Sequence, residues 1–228
     1  MIRLEQVSRS YEKEGQQIHA LQQVDLHLKP GEMAAVVGPS GSGKTTLLNV
    51  LGCLDRPTAG RYLLNGVSVE GMCSRRQAMV RNRQIGLIFQ HFHLLPGLSA
   101  EENAALPLML RGVPTSQRRE VACAALELVG LADRRGHYPG ELSGGQQQRV
   151  AIARVLCADP AVVLADEPTG NLDPKAGEEI MRILCDLHGR GKTLVLITHD
   201  LSLARRAPKL LRMDGGYLEE ITGCDPAF

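Results

Sequence analysis

Gly38, Pro39, Ser40, Gly41, Ser42, Gly43, Lys44 and Thr45 fall in the spacing GxxxxGK[ST]. The string follows the apolar run Met33 to Val37 and opens a helical stretch that begins near Gly43 and runs through Leu54, a strand–turn–helix context that suits phosphate binding. Glycines let backbone N–H groups turn inward around phosphate oxygens, and the helix N-terminus adds positive potential. Lys44 would then reach the β- and γ-phosphates, Thr45 would ligate Mg²⁺, and Thr46 follows in the same turn. A second chemical signal lies where the apolar run Val162 to Ala165 ends in Asp166 and Glu167. Asp166 fits an acid that helps to hold Mg²⁺, and Glu167 is placed to polarise an attacking water. On their own these are two solvated acids at a strand end; beside a phosphate loop they make a hydrolytic pair.

The elements that must position these groups follow from patterning. Val24, Leu26 and Leu28 alternate with Asp25, His27 and Lys29, as in a half-buried strand. Met33 to Val37, Ile85 to Phe89, Ala161 to Ala165 and Thr193 to Thr198 are short apolar runs that suit buried strands of a mostly parallel sheet. From about His91 to Ala158 the strand signal fades and helical periodicity takes over. Ser99 and Glu102 have capping-box spacing, so a helix should begin there. Leu126, Leu128, Val129 and Leu131 close another helical segment. The expected fold is α/β, with a helical lobe over about 91–158 inserted into a core formed by about 1–90 and 159–221, and a frayed tail over 222–228.

Composition narrows the function. Lys plus Arg is 26 and Asp plus Glu is 25, so no bulk charge pulls the chain toward nucleic acid or an anionic surface. Aromatics are only 3%, with no Trp, which disfavours a broad base-stacking platform, and no nucleic-acid partner is expected. No apolar run approaches the ~18 residues that span a bilayer, and the first residues lack the apolar core of a signal peptide. The expected location is therefore the cytosol, and any membrane part would come from a partner. The six cysteines are scattered and read as reduced thiols, with Cys53 and Cys157 packed within apolar helical stretches.

Leu142, Ser143, Gly144, Gly145 and Gln146, followed by Gln147 to Arg154, carry the class. With this string the chain resembles an ABC-transporter ATPase subunit over nearly its whole length. The resemblance implies a P-loop NTPase fold, with a mostly parallel core sheet, an antiparallel β subdomain and the inserted helical lobe. Ser143 and Gln146 have S-x-x-Q spacing, so Ser143 can cap a helix. The resemblance adds that Ser143, Gly144, Gly145 and Gln146 meet the γ-phosphate bound on another subunit, so a homodimer or a second cassette completes each ATP site. It implies that Gln90 senses Mg²⁺ and water, that His199 contacts the γ-phosphate, and that Tyr11 stacks on adenine. Asp173 matches an acid that bridges to the opposite subunit; before Pro174 it is also a good helix N-cap, and the two roles are compatible. Asn171 departs from the Ser-Ala-Leu-Asp pattern common at that turn.

Further strings, including Cys53 to Gly60, Ile85 to Pro96 and Glu167 to Asp173, resemble cassettes of the lipoprotein-releasing and macrolide-exporter branch, and those of the cell-division type. That resemblance implies an integral-membrane permease with few spans and a large extracytoplasmic domain, the cassette lying peripherally on the cytoplasmic face of the inner membrane. Two functions then compete: ATP hydrolysis that drives lipoprotein release or efflux, and ATP hydrolysis that regulates extracytoplasmic cell-wall enzymes. Phe92, Leu94 and Leu95 are either an exposed docking patch for the permease or core of the helical lobe. His91 and His93 lack a third ligand and carry no metal reading.

Overall fold

The computed structural model describes residues 1–13 and 15–221. The expected tail, 222–228, and with it Cys224, lies outside the described residues. In chain order the elements are β1 (Ile2–Lys13), β2 (Gln16–Leu28), β3 (Met33–Val37), α1 (Lys44–Leu51), β4 (Ala59–Leu64), β5 (Val67–Ser68), α2 (Ser74–Gln84) and β6 (Ile85–Ile88). There follow α3 (Ala100–Leu110), α4 (Thr115–Leu128), α5 (Gly144–Ala158), β7 (Val162–Asp166), α6 (Pro174–Gly189), β8 (Thr193–Ile197), α7 (Leu201–Ala204), β9 (Lys209–Asp214) and β10 (Tyr217–Glu220).

Two sheets result. The larger has the order β10-β9-β3-β8-β7-β6 and is parallel except for the edge pair of β9 and β10. The smaller, β2-β1-β4-β5, is antiparallel. Period-two alternation divides the apolar strands of the larger sheet between two cores. Met33, Ala35, Val163, Ala165, Leu194 and Leu196 face a core shared with α3 to α6. Ala34, Val36, Val162, Leu164, Val195 and Ile197 face a second core with α1 and the antiparallel sheet. The helical segment thus packs continuously onto the sheet: Ala100 of α3, Leu126 of α4 and Ile152 of α5 sit in the same cluster as β7 and β8.

Local chemistry sets the element ends. Ser99 caps α3 by a reciprocal box with Glu102, as the spacing predicts. The first helix ends earlier than its apolar run suggests. It stops at Leu51, whose carbonyl accepts the buried Tyr62 hydroxyl at 2.8 Å, and Cys53 then takes φ 53°. Cys53 is therefore buried in a turn rather than on a helix; Cys157 does lie on α5. The Arg-rich α2 gives no apolar periodicity, for only Gln77 is buried along it. It is held instead by Arg81, which donates to the Cys53 carbonyl at 2.8 Å, and by Arg56, which donates to the Met72 carbonyl at 2.9 Å. Arg111 closes the far end, donating to Asn82 on α2 and, at 2.8 Å, to the last carbonyl of α5 at Ala158.

Candidate functional site

The carboxyl ends of β3, β7 and β8 lie side by side in the sheet, so the turns that follow them converge. The turn after β3 is the glycine-rich loop. Gly43 takes φ 108°, and a Cβ there would strike the Ala20 carbonyl, so only glycine fits between this turn and β2. Ser42 is buried, and its hydroxyl has no protein partner among the described residues. Lys44 opens α1 and turns its ammonium back on the loop, donating to the carbonyls of Gly38 at 2.8 Å and Pro39 at 2.7 Å. Thr45 is exposed in the first turn and Thr46 is half-buried. Unfilled helical N–H groups, an orphan hydroxyl and a lysine satisfied only by backbone suit a phosphate ligand with its metal.

Asp166 ends β7, half-buried. Burial and the neighbouring Glu167 push its carboxyl above the usual carboxylate range, against the opposing charge of Lys44. A divalent cation would reverse that penalty, so the donor set fits Mg²⁺. Glu167 follows with φ 42°, a left-handed conformation costly for a non-glycine residue. Its N–H is held by the Ile197 carbonyl at 2.8 Å. Its carboxylate accepts from the Thr198 hydroxyl at 3.1 Å and from the His199 N–H at 2.8 Å, and lies 2.8 Å from His199 Nδ1. The loops after β7 and β8 thus bring the two sequence-predicted residues Glu167 and His199 into direct contact, with the His199 side chain 76% exposed.

Gln90 stands just past β6, where its amide faces the turn after β7. Gln90 Nε2 donates to Asn171 Oδ1 at 3.1 Å, and Asn171 Nδ2 donates back to the Gln90 carbonyl at 3.1 Å. Asn171, noted in the sequence as a departure, is thereby given a contact. Asp173 caps α6 by accepting from the Ala176 N–H at 3.0 Å, with Pro174 at the first helical position.

Ser143 caps α5 through a reciprocal box with Gln146, leaving the glycine N–H groups of the first turn outward. This turn and the Asn171–Asp173 turn line one cavity of about 480 Å³, to which no residue of the phosphate loop contributes. One chain therefore carries a phosphate cradle and, apart from it, a helix N-terminus able to receive an anion. Tyr11 lies on β1, its hydroxyl bonded to Asp55 at 2.7 Å and its ring beneath the Arg9 guanidinium.

Several supporting residues escape sequence reasoning. Gln148 is fully buried and donates to the Pro168 carbonyl at 2.7 Å, tying α5 to the turn after Glu167. Arg154 donates to the carbonyls of His93 at 2.7 Å and Phe92 at 3.0 Å, and burial lowers its guanidinium pKa. Their sequence signal is polar residues on a helix face that must otherwise be apolar. The 92–95 segment, either a docking patch or core by sequence, divides between the two. Leu94 packs against the core, Phe92 lies against Gly144 of the signature turn, and Leu95 is exposed.

Comparison with known proteins agrees with this geometry. The family model described as ABC transporter matches residues 21–170. An uncharacterized ABC transporter ATP-binding protein of Thermotoga maritima is 53% identical over 204 residues, covering 90% of this chain and 87% of the relative. The macrolide export ATP-binding/permease protein MacB 2 of Aeromonas hydrophila is 44% identical over the whole of this chain, which spans only 35% of that longer protein. Among solved structures, the ATP-binding cassette MJ0796, a dimer in a post-hydrolysis state with ADP and Pi, superposes with a TM-score of 0.90 at 40% identity, covering 98% of this chain and 100% of its own. The chain belongs to the ABC transporter family, within which it is an ATP-binding and ATP-hydrolysing cassette.

Proposed function

We propose that this cassette is an Mg²⁺-dependent ATPase that powers an export-type permease from the cytoplasmic face of the membrane. The observation that carries the reading is the meeting of Lys44, Asp166, Glu167 and His199 at the ends of three adjacent parallel strands. Gly38 to Gly43 cradle the phosphates with backbone N–H groups, and Lys44 leaves its two loop carbonyls for phosphate oxygens. Thr45, Asp166 and Gln90 would hold the metal, which would supply charge neutralisation at the phosphate oxygens. Glu167 accepts the proton of the attacking water, and His199, now paired with Glu167, turns to the γ-phosphate. Thr198 and His199 orient the Glu167 carboxylate by donating to it.

The second half of each site comes from another copy. The Ser143–Gln146 turn caps the γ-phosphate held by the partner's cradle, and Asp173 bridges the seam. Relatives named as macrolide and pyoverdine export ATP-binding/permease proteins support an export role. No helix of the described residues is long and apolar enough to cross a membrane; on this reading a permease supplies the spans. Its docking place is the apolar groove of about 420 Å³ between core and helical segment, walled by Leu54, Leu87, Phe89, Leu106, Leu110 and Val155.

The test is affinity capture of the Glu167→Gln protein from gently solubilised membranes with MgATP. Co-purification of a few-span permease with a large extracytoplasmic domain, lost in Leu110→Glu, is the expected result. A folded, ATP-loaded protein that captures no membrane subunit contradicts the reading.

A further inference from the structure

We propose that Asp55, with Arg9, is a positioning residue for the nucleotide base, acting through Tyr11; the proposal rests on the reading that Tyr11 receives the adenine. The three side chains form a closed triangle. The Tyr11 hydroxyl donates to Asp55 Oδ2 at 2.7 Å. Arg9 grips the same carboxylate with two nitrogens, Nε to Oδ2 at 2.9 Å and Nη2 to Oδ1 at 2.8 Å. The Arg9 guanidinium carbon also stands 4.5 Å from the Tyr11 ring centroid. Arg9 and Tyr11 are two apart on β1 and so share one face of the strand. One face of the ring is thus covered by a cation, and the ring's tilt is fixed at its far end by the phenol bond. A base can then stack only on the remaining face.

The triangle also refers the ring to the phosphate cradle. Asp55 lies on the loop that leaves α1, the helix that begins at Lys44, and its N–H donates to the Asn49 carbonyl of that helix at 3.1 Å. The same loop is stitched to β1: the Thr58 N–H donates to the Ser8 carbonyl at 2.8 Å, and the Ser10 N–H to the Thr58 hydroxyl at 3.1 Å. The ring is therefore held at a fixed setting from the phosphate site before any ligand arrives, which reduces the ordering cost of binding. The Arg9–Asp55 ion pair and the Thr58 bonds already join strand to loop, and the phenol bond additionally ties the ring itself to Asp55.

Calorimetric titration of the purified chain with ADP and with inorganic pyrophosphate, which has no base, separates the possibilities. Tyr11→Ala should weaken ADP about 10-fold. Asp55→Ala should weaken it about 3- to 10-fold, by loss of a charge-assisted bond. Neither should alter pyrophosphate, and Asp55→Ala should add nothing in the Tyr11→Ala background. Tyr11→Phe keeps the ring and removes only the phenol bond; it should reproduce part of the Asp55→Ala effect, and serves where Asp55→Ala unfolds. Asp55→Asn, which keeps an acceptor, should recover part of the affinity. Equal weakening of ADP and pyrophosphate, or full additivity with Tyr11→Ala, would make Asp55 a mere brace of the loop and overturn the proposal. Unchanged ADP affinity in Asp55→Ala and Tyr11→Phe beside a weakened Tyr11→Ala overturns it as well. Unchanged ADP affinity in Tyr11→Ala removes the adenine reading of Tyr11, and the proposal with it.

Discussion

Lys44 and Glu167 illustrate how a side chain's resting partner foretells its work. The Lys44 ammonium is satisfied by two loop carbonyls, which anionic phosphate oxygens would outcompete. Glu167 is aimed by Thr198 and by two groups of His199. Glu167→Gln should keep ATP affinity within about 3-fold and lower turnover by about 10²-fold or more, whereas Lys44→Ala should abolish measurable ATP binding. Equilibrium binding beside phosphate release distinguishes these, and an unchanged kcat in Glu167→Gln would remove it from the base role. Asp166 is the third case. Its burial and its neighbour Glu167 make its charge costly while no cation is present, so Asp166→Asn should raise the Tm of the nucleotide-free protein by about 2 °C and abolish Mg²⁺-dependent turnover. A lower Tm would show that its attraction to Lys44 dominates.

At the scale of elements, α5 joins stability to function. Its first turn is closed by the Ser143–Gln146 box, and its buried face sends Gln148 and Arg154 to the turns that carry Glu167 and Gln90. Ser143→Ala should cost about 1 kcal/mol of stability while leaving the ATP affinity of the single chain unchanged. Scanning calorimetry and titration measure both, and a weakened single-chain affinity would place Ser143 in its own chain's cradle. The capped helices and fully apolar strands were legible because caps and periodicity are local: Ser99, Ser143 and Asp173 all cap where their spacing predicts. The helix α2 was not legible. It is held by Arg81, which reaches the Cys53 carbonyl in the loop after α1, and by Arg56 of that loop, which reaches the Met72 carbonyl just before the helix, and neither contact leaves a periodic trace. Cys53 differs from its sequence expectation for a related reason: an apolar residue in a buried turn looks like the end of the helix before it.

For the whole molecule, the sheet order explains why groups far apart in sequence share one site. Strands β3, β7 and β8 are neighbours, so Lys44, Glu167 and His199 converge although about 150 residues of chain separate the first from the last. The residue motifs for this were readable; the Arg9–Tyr11–Asp55 triangle and the exchange between Gln90 and Asn171 were not, because they depend on how one sheet and one loop fold back on another. The same architecture sets the phosphate cradle apart from the cavity under Ser143, so a single chain holds two half-sites. If the two half-sites pair between copies, the mass of the hydrolysis-blocked protein must change with nucleotide. Glu167→Gln should sediment at its chain mass of 24.7 kDa without nucleotide and at twice that mass with MgATP, and adding Ser143→Arg should return it to the single-chain mass with ATP still bound. A protein that binds ATP yet keeps the single-chain mass at every concentration, or one whose doubled mass survives Ser143→Arg, would contradict it.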